Sequence, residues 1–291
     1  MNISKFFQTA PNVFIFRHAP TWFSMRYLRL LGFIYYLFNR RERSIIERNI
    51  KSVFNERKTA RNVINKTFDG IFNHYSEKLI MAHRSYPSVM RELWHAMRYS
   101  GLEHLDRALE KGGVILVTAH LGGVEFMPLA LALNGYRVTM IVRFQSGRLK
   151  ESLLERARVV DVELIDGDSE HVMKQAFEAL DRGRILLTEC DEVDEWKIRH
   201  DTTVEAFGRN VYLDRSLAVL CRRTGATPLG SFMIREGNGY RLTIIPFESE
   251  NGEGSGELSQ AILKTFEDVV MSCPDQWYQW KKFHKMSPEI A

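Results

Sequence analysis

The sequence predicts an α/β fold: a mixed, mostly parallel sheet flanked by helices and preceded by an N-terminal helical, membrane-associating subdomain. Three observations carry that prediction. From Tyr27 to about Tyr99 apolar residues recur at helical spacing with little proline, from Gly101 onward helix-like segments alternate with short β-branched runs, and an Asn-Gly pair in the last third marks a hairpin. The expected division is therefore a helical region over 1–100 and an α/β core over 101–291. With 45% hydrophobic and 26% charged residues, the chain has globular composition and enough apolar surface for a sizeable core.

The N-terminal region is electrically distinct. Residues 1–61 hold twelve Lys and Arg against three Glu, which leaves the remainder of the chain net acidic although the whole is +4. Within it, "VFIFRHAPTWFSMRYLRLLGFIYYLFNRR" sets aromatic and aliphatic clusters between Arg17, Arg26, Arg29, Arg40 and Arg41. No uninterrupted apolar run there approaches the ~18 residues of a spanning helix, and no signal-peptide pattern is read at the start. A basic stretch bearing Trp and Tyr suits a helix lying in the interface of an anionic membrane surface. The competing reading is a core helix with a solvated basic face. Nucleic acid is not an expected partner, because the rest of the chain is acidic and carries no recognised binding motif.

In the helical region, "RERSIIERNIKSVF", "ARNVINKTFDGIFNHYSEKLIMAH" and "SVMRELWHAMRY" place apolar residues three and four apart. Beyond Gly101 the strand candidates are "GVILVTA", "RVTMIV", "VELI", "RILLTE", "TPLGSFMIR" and "YRLTIIPF". The last two flank "EGNG", Glu236 to Gly239, so this pair is antiparallel. Gly225 reads as a helix stop after "LDRSLAVLCRRT". "SENGEGSGE", Ser249 to Glu257, reads as flexible but too short to separate domains. Cys190, Cys221 and Cys273 are odd in number, scattered and outside any Cys-x-x-Cys spacing, so neither a disulfide framework nor a structural zinc site is indicated.

The chemistry concentrates in "VILVTAHLGGVEFMPLALAL", Val114 to Leu133. His120 falls where a buried strand ends, Gly122 and Gly123 permit a sharp bend, and Glu125 follows in the first turn of a helix. Five residues apart on one helix the two side chains diverge by about 140°, so they meet only across such a bend. A carboxylate bonded to one imidazole nitrogen fixes the tautomer and frees the other nitrogen to take a proton from a hydroxyl. Neither Ser nor Cys lies in the segment and no Gly-x-Ser-x-Gly elbow occurs, so direct attack by a substrate hydroxyl is expected rather than an acyl-enzyme. The plainer alternative is a satisfied structural pair.

These residues resemble the lipid A biosynthesis late acyltransferases, within the lysophospholipid acyltransferase superfamily marked by His-x-x-x-x-Asp/Glu. The likeness runs discontinuously from about Arg41 to Lys285: "RSIIERNIKSVF", "GLEHLDRALEKGGVILVTAHLGGVE", "GRILLTECD", "AFGRNVYLDRSLAVLCRRTGA" and "CPDQWYQWKKF" occur in the family's order. It implies a glycerolipid acyltransferase-like fold, His120 as general base and Glu125 as the group orienting it. An acyl carrier protein or coenzyme A thioester would be the donor co-substrate, with no bound cofactor, and a hydroxyl of a membrane glycolipid the acceptor. It also implies an aspartate, Asp191, and an arginine, either Arg158 or Arg143, at the substrate. Each arginine is equally readable as a surface ion-pair residue, and the N–H groups of Gly122 and Gly123 are candidate oxyanion donors.

"ECDEVDE" is read as a solvated acidic loop and no metal is expected. Trp277 and Trp280 are expected to pack the tail on the core, and the remaining histidines, His74 and His200 among them, are read as structural or surface residues. Two features depart from the family: arginines interrupt its N-terminal membrane-spanning helix, and Cys190 and Glu192 stand where it has Pro and Gln. The expected location is accordingly the cytoplasmic face of the bacterial inner membrane, peripheral or monotopic. A lysophospholipid or glycerol phosphate acyltransferase, lacking here its Phe-Pro-Glu-Gly block, and a non-catalytic membrane scaffold are the competing functions.

Overall fold

The computed structural model describes residues 9–144, 147–198, 202–248 and 255–288. Five helices come first: α1 (Ala10–His18), α2 (Thr21–Phe38), α3 (Arg40–Val53), α4 (Arg57–His83) and α5 (Tyr86–Ala96). Pro11 and Pro87 sit in the first turns of α1 and α5, where a missing N–H costs nothing. Asn39 caps α3 by accepting the Glu42 N–H, while its own amide donates to the Glu42 carboxylate at 2.9 Å.

The core sheet has seven strands, β1 (Met97–Ser100), β2 (Val114–Thr118), β3 (Val138–Val142), β4 (Val162–Asp166), β5 (Ile185–Glu189), β8 (Thr227–Glu236) and β9 (Gly239–Pro246), in the order β1-β9-β8-β2-β5-β3-β4. Only β8 and β9 pair antiparallel, joined through Gly237 and Asn238 with Gly237 at φ +58°. Helices α6 (Leu102–Leu109), α7 (Met127–Leu133), α8 (Gly147–Arg158), α9 (Val172–Asp181) and α10 (Ser216–Thr224) connect the strands, and α11 (Ser255–Ser272) follows the last of them. Gly225, at φ +67°, ends α10 as expected.

Two strand features depart from the sequence reading. The helical pattern continues to Tyr99, yet the chain leaves α5 at Ala96 and Met97–Ser100 joins the sheet edge parallel to β9. A separate hairpin, β6 (Thr203–Ala206) with β7 (Arg209–Tyr212), turns at Phe207 and Gly208, both in the left-handed region at φ +55° and +66°. Four-residue strands carry no periodicity long enough to register. His200 and residues 249–254 of the expected flexible stretch lie outside the described residues.

One hydrophobic cluster spans the helical region and the sheet, running from Phe16, Leu28 and Tyr36 to Leu116, Leu187 and Trp280. Trp277 and Trp280 are fully buried. Helix α3 contributes to this: Asn49, itself buried, donates to the Trp280 carbonyl at 2.7 Å and so fastens the C-terminal tail to the helical region.

The outer face of α1 and α2 is apolar. Phe14, Trp22, Leu30, Phe33 and Phe38 are exposed, Phe38 by 85%, while Phe16, Leu28 and Tyr36 face inward and are buried. Among the described residues no helix is long and apolar enough to cross a membrane.

Candidate active site

Strand β2 lies between β8 and β5 and runs parallel to both, with all five residues buried. Thr118 stands opposite Glu189, and Cys190 donates its N–H to the Thr118 carbonyl at 2.7 Å, which carries the pairing one step past the strands. The chain ends that follow are thus side by side at the carboxyl edge of the sheet, where open α/β sheets bind ligands. They bear His120 and Asp191.

Asp191 is fully buried and accepts three groups: the His120 backbone N–H at 3.0 Å, His120 Nδ1 at 3.0 Å and the Trp277 indole N–H at 2.8 Å. Because a carboxylate only accepts, Nδ1 bears the proton and Nε2 faces the other way. Tyr278 donates its N–H to the His120 carbonyl at 3.1 Å, and its ring centroid lies 5.2 Å from that of His120. The C-terminal tail therefore builds the site as well as covering it.

This arrangement corrects the expected roles of four residues. Glu125 does not orient His120. It lies in a short 3-10 turn, Val124–Phe126, and its carboxylate faces α4, 3.5 Å from both His74 Nε2 and Lys78 Nζ. Asp191, expected at the substrate, is the partner of His120 and is sealed from solvent.

Gly122 and Gly123 are required by the backbone, and their N–H groups are already donated, to Gln276 at 3.1 Å and Met233 at 2.7 Å. They are not free to meet an oxyanion. Gly122 has φ +57°, and a Cβ there would sit 1.9 Å from the Met233 carbonyl oxygen.

The loop is clamped from a further side. Arg235 donates to the Gly122 carbonyl at 2.6 Å and holds both carboxylate oxygens of Glu77, on α4, at 2.7 Å, with Tyr240 donating to Glu77 at 2.9 Å.

Neither candidate arginine is among the contacts of His120. Arg143 pairs with Asp168 and Glu195 on the exposed surface, and Arg158 ends α8 exposed.

Carboxylates crowd the free nitrogen: Nε2 is 3.5 Å from Glu189 and 3.4 Å from Glu192. Burial alone would lower the imidazole pKa, but Glu189, Asp191 and Glu192 overcome it and hold the group at about 9. Burial raises Glu189 to about 7, against the pull of His120. For Asp191, burial is outweighed by the His120 charge and by the bonds from His120 and Trp277, so it stays below the usual carboxylate range.

His74 stacks on Tyr278 at 4.0 Å, and burial together with Lys78 holds it well below the usual imidazole range, neutral. Sequence reading missed the roles of Glu189, Tyr278 and the Trp277 N–H. The only signal was the unusual "TECDE" and "WYQW" composition, which names no geometry.

Among the described residues, His120, Glu189 and Glu192 form one group able to hold a metal ion, their ligand atoms lying within 4.8 Å of one another. A cation there would occupy the same Nε2 that proton transfer needs.

A mostly parallel α/β sheet with a buried imidazole–carboxylate dyad at its carboxyl edge defines the class: an α/β protein with one ionisable cluster where its central strands end. The chain belongs to the bacterial lipid A biosynthesis acyltransferase family, whose model matches residues 6–285. It is thereby an acyltransferase of a membrane-associated bacterial family, working with an acyl donor and a lipid acceptor. No curated protein matches the chain.

Proposed function

We propose that this acyltransferase moves a fatty acyl group from an acyl carrier protein or coenzyme A thioester to a hydroxyl of a membrane glycolipid, a lipid A precursor or a close chemical relative. The observation that carries the reading is His120, with Nδ1 held by buried Asp191 and Nε2 turned away from it. Nε2 takes the hydroxyl proton as the oxygen attacks the thioester carbonyl. The C–S bond then breaks, and the imidazolium returns its proton to the leaving thiolate. Atoms balance without a bound cofactor.

An apolar groove of ≈ 520 Å³ between α2 and α4 supports a lipid substrate. Leu30, Phe33, Leu37, Ile64, Phe68 and Phe72 line it, together with Arg26, Arg29 and Arg43. Helix α4 borders both: Phe72 lines the groove, and His74, on another side of the helix, has its ring centroid 6.2 Å from that of His120. The exposed apolar face of α1 and α2 would lie in the headgroup region, at the cytoplasmic leaflet of the inner membrane, with its arginines on anionic phosphates.

The test of function is a comparison by mass of the lipids of a strain lacking this chain with those of its parent. Loss of one acyl group from one glycolipid is the expected result, and identical profiles would overturn the reading. Membrane attachment has its own test. Phe33→Asp with Phe38→Asp is expected to lower binding to phosphatidylglycerol vesicles by about ten-fold or more, since each buried aromatic contributes about 1.5–3 kcal/mol. Undiminished co-sedimentation would argue against that face as the anchor.

A further inference from the structure

Three lysines, Lys78, Lys281 and Lys282, lie among the charged groups near His120, and two of them are paired with carboxylates. Lys78 is 3.5 Å from Glu125, and Lys282 is 2.9 Å from Glu192 and 3.1 Å from Asp194. Lys281 has no carboxylate within 4.0 Å among the described residues, although it is partly buried. Its ammonium lies 5.4 Å from the centroid of the Tyr278 ring, the same ring that sits 5.2 Å from His120. Burial, together with Lys282 and Lys78, lowers its pKa, while Glu42 and Glu192 oppose this from longer range. A cation held back from water without a counter-ion is costly unless an anion comes to it.

We infer that Lys281 is the anion-binding residue of the acyl-transfer site, holding a phosphate of the substrate while His120 addresses a hydroxyl. The inference rests on His120 being the reaction centre. Lysine suits the task as a compact point charge with three donors. Geometry favours one source of the phosphate. Lys281 Nζ is 5.4 Å and the imidazole centroid 5.2 Å from the centre of the Tyr278 ring, so the two lie no farther apart than these distances together, a span that one phosphorylated sugar or glycerol unit reaches. A pantetheine arm, with two amides between its thiol and its phosphate, holds them much farther apart when extended. The expected ligand is therefore a phosphate ester on the acceptor, and the donor's phosphopantetheine phosphate is the competing source of the same chemistry.

The experiment titrates the full chain with inorganic phosphate, dihexanoyl phosphatidic acid and 4′-phosphopantetheine, read by calorimetry, for the wild type, Lys281→Gln, Lys281→Arg and Arg158→Gln. Lys281→Gln is expected to weaken phosphate and phosphatidic acid by about ten-fold or more, with Lys281→Arg restoring most of it. A loss confined to phosphate and 4′-phosphopantetheine would assign the subsite to the donor. Arg158→Gln, on the exposed end of α8, is the control and is expected to bind all three probes as the wild type does. If Lys281→Gln binds every probe as tightly as the wild type, the inference is overturned. Should the lipid profile be unchanged in the deletion strain while binding still depends on Lys281, the anion site stands and the acyl-transfer reading falls.

Discussion

Asp191→Asn lowers the rate of acyl transfer by about 10³–10⁴-fold, and His120→Ala lowers it at least as far. The reason is the number of donors that converge on one carboxylate. The His120 backbone N–H, His120 Nδ1 and the Trp277 indole all point at Asp191. An asparagine offers a single carbonyl oxygen for all three and must turn its NH₂ toward at least one.

If the NH₂ meets Nδ1, that nitrogen becomes the acceptor and the proton moves to Nε2. The imidazole then presents a donor where a base is required. The rate of labelled acyl transfer from thioester to lipid checks this. Glu125→Gln provides the contrast, because Glu125 contacts His74 and Lys78 and no nitrogen of His120. It should cost less than Asp191→Asn, and the reverse order would return the orienting role to Glu125.

Why the sequence pointed to Glu125 and the fold chose Asp191 is a matter of range. The segment Val114–Leu133 could be read locally, because a buried strand, two glycines and an apolar helix leave their mark within twenty residues. The same is true of six of the seven core strands and of the β8–β9 hairpin. The dyad joins positions 71 residues apart through the registry of β2 with β5, and its third partner, Trp277, is a further 86 residues along.

No periodicity or spacing rule reaches across such separations; strand order alone brings them together. The glycines misled for a related reason. Their freedom of φ could be anticipated, but the Met233 and Gln276 carbonyls that take up their N–H groups come from β8 and the C-terminal tail. A turn that looks open in sequence is closed by its neighbours.

The pH dependence follows from what surrounds Nε2. Glu189 and Glu192 face it, Asp191 holds the opposite nitrogen, His74 packs nearby from α4, and Tyr278 lies against the ring. The net result is an imidazole that stays protonated up to about pH 9. Only the neutral form is a base, so kcat/KM rises with pH through about 9 and levels off above it, with about 100-fold less of the active form at pH 7 than on the plateau.

Stability runs the other way. A folded pKa above the unfolded value of about 6.5 stabilises the fold fully below pH 6.5, and that contribution is lost as pH rises through about 9. Glu189→Gln removes a carboxylate whose charge raises the imidazole pKa and leaves Asp191 in place to set the tautomer. The rising limb of the profile then moves to lower pH. Relative to the wild type, the variant gains at pH 7 and falls behind well above pH 9, where a weaker base remains after both are fully deprotonated. A pH–rate profile of the two proteins decides it: a limb that stays at the wild-type position means Glu189 does not govern His120.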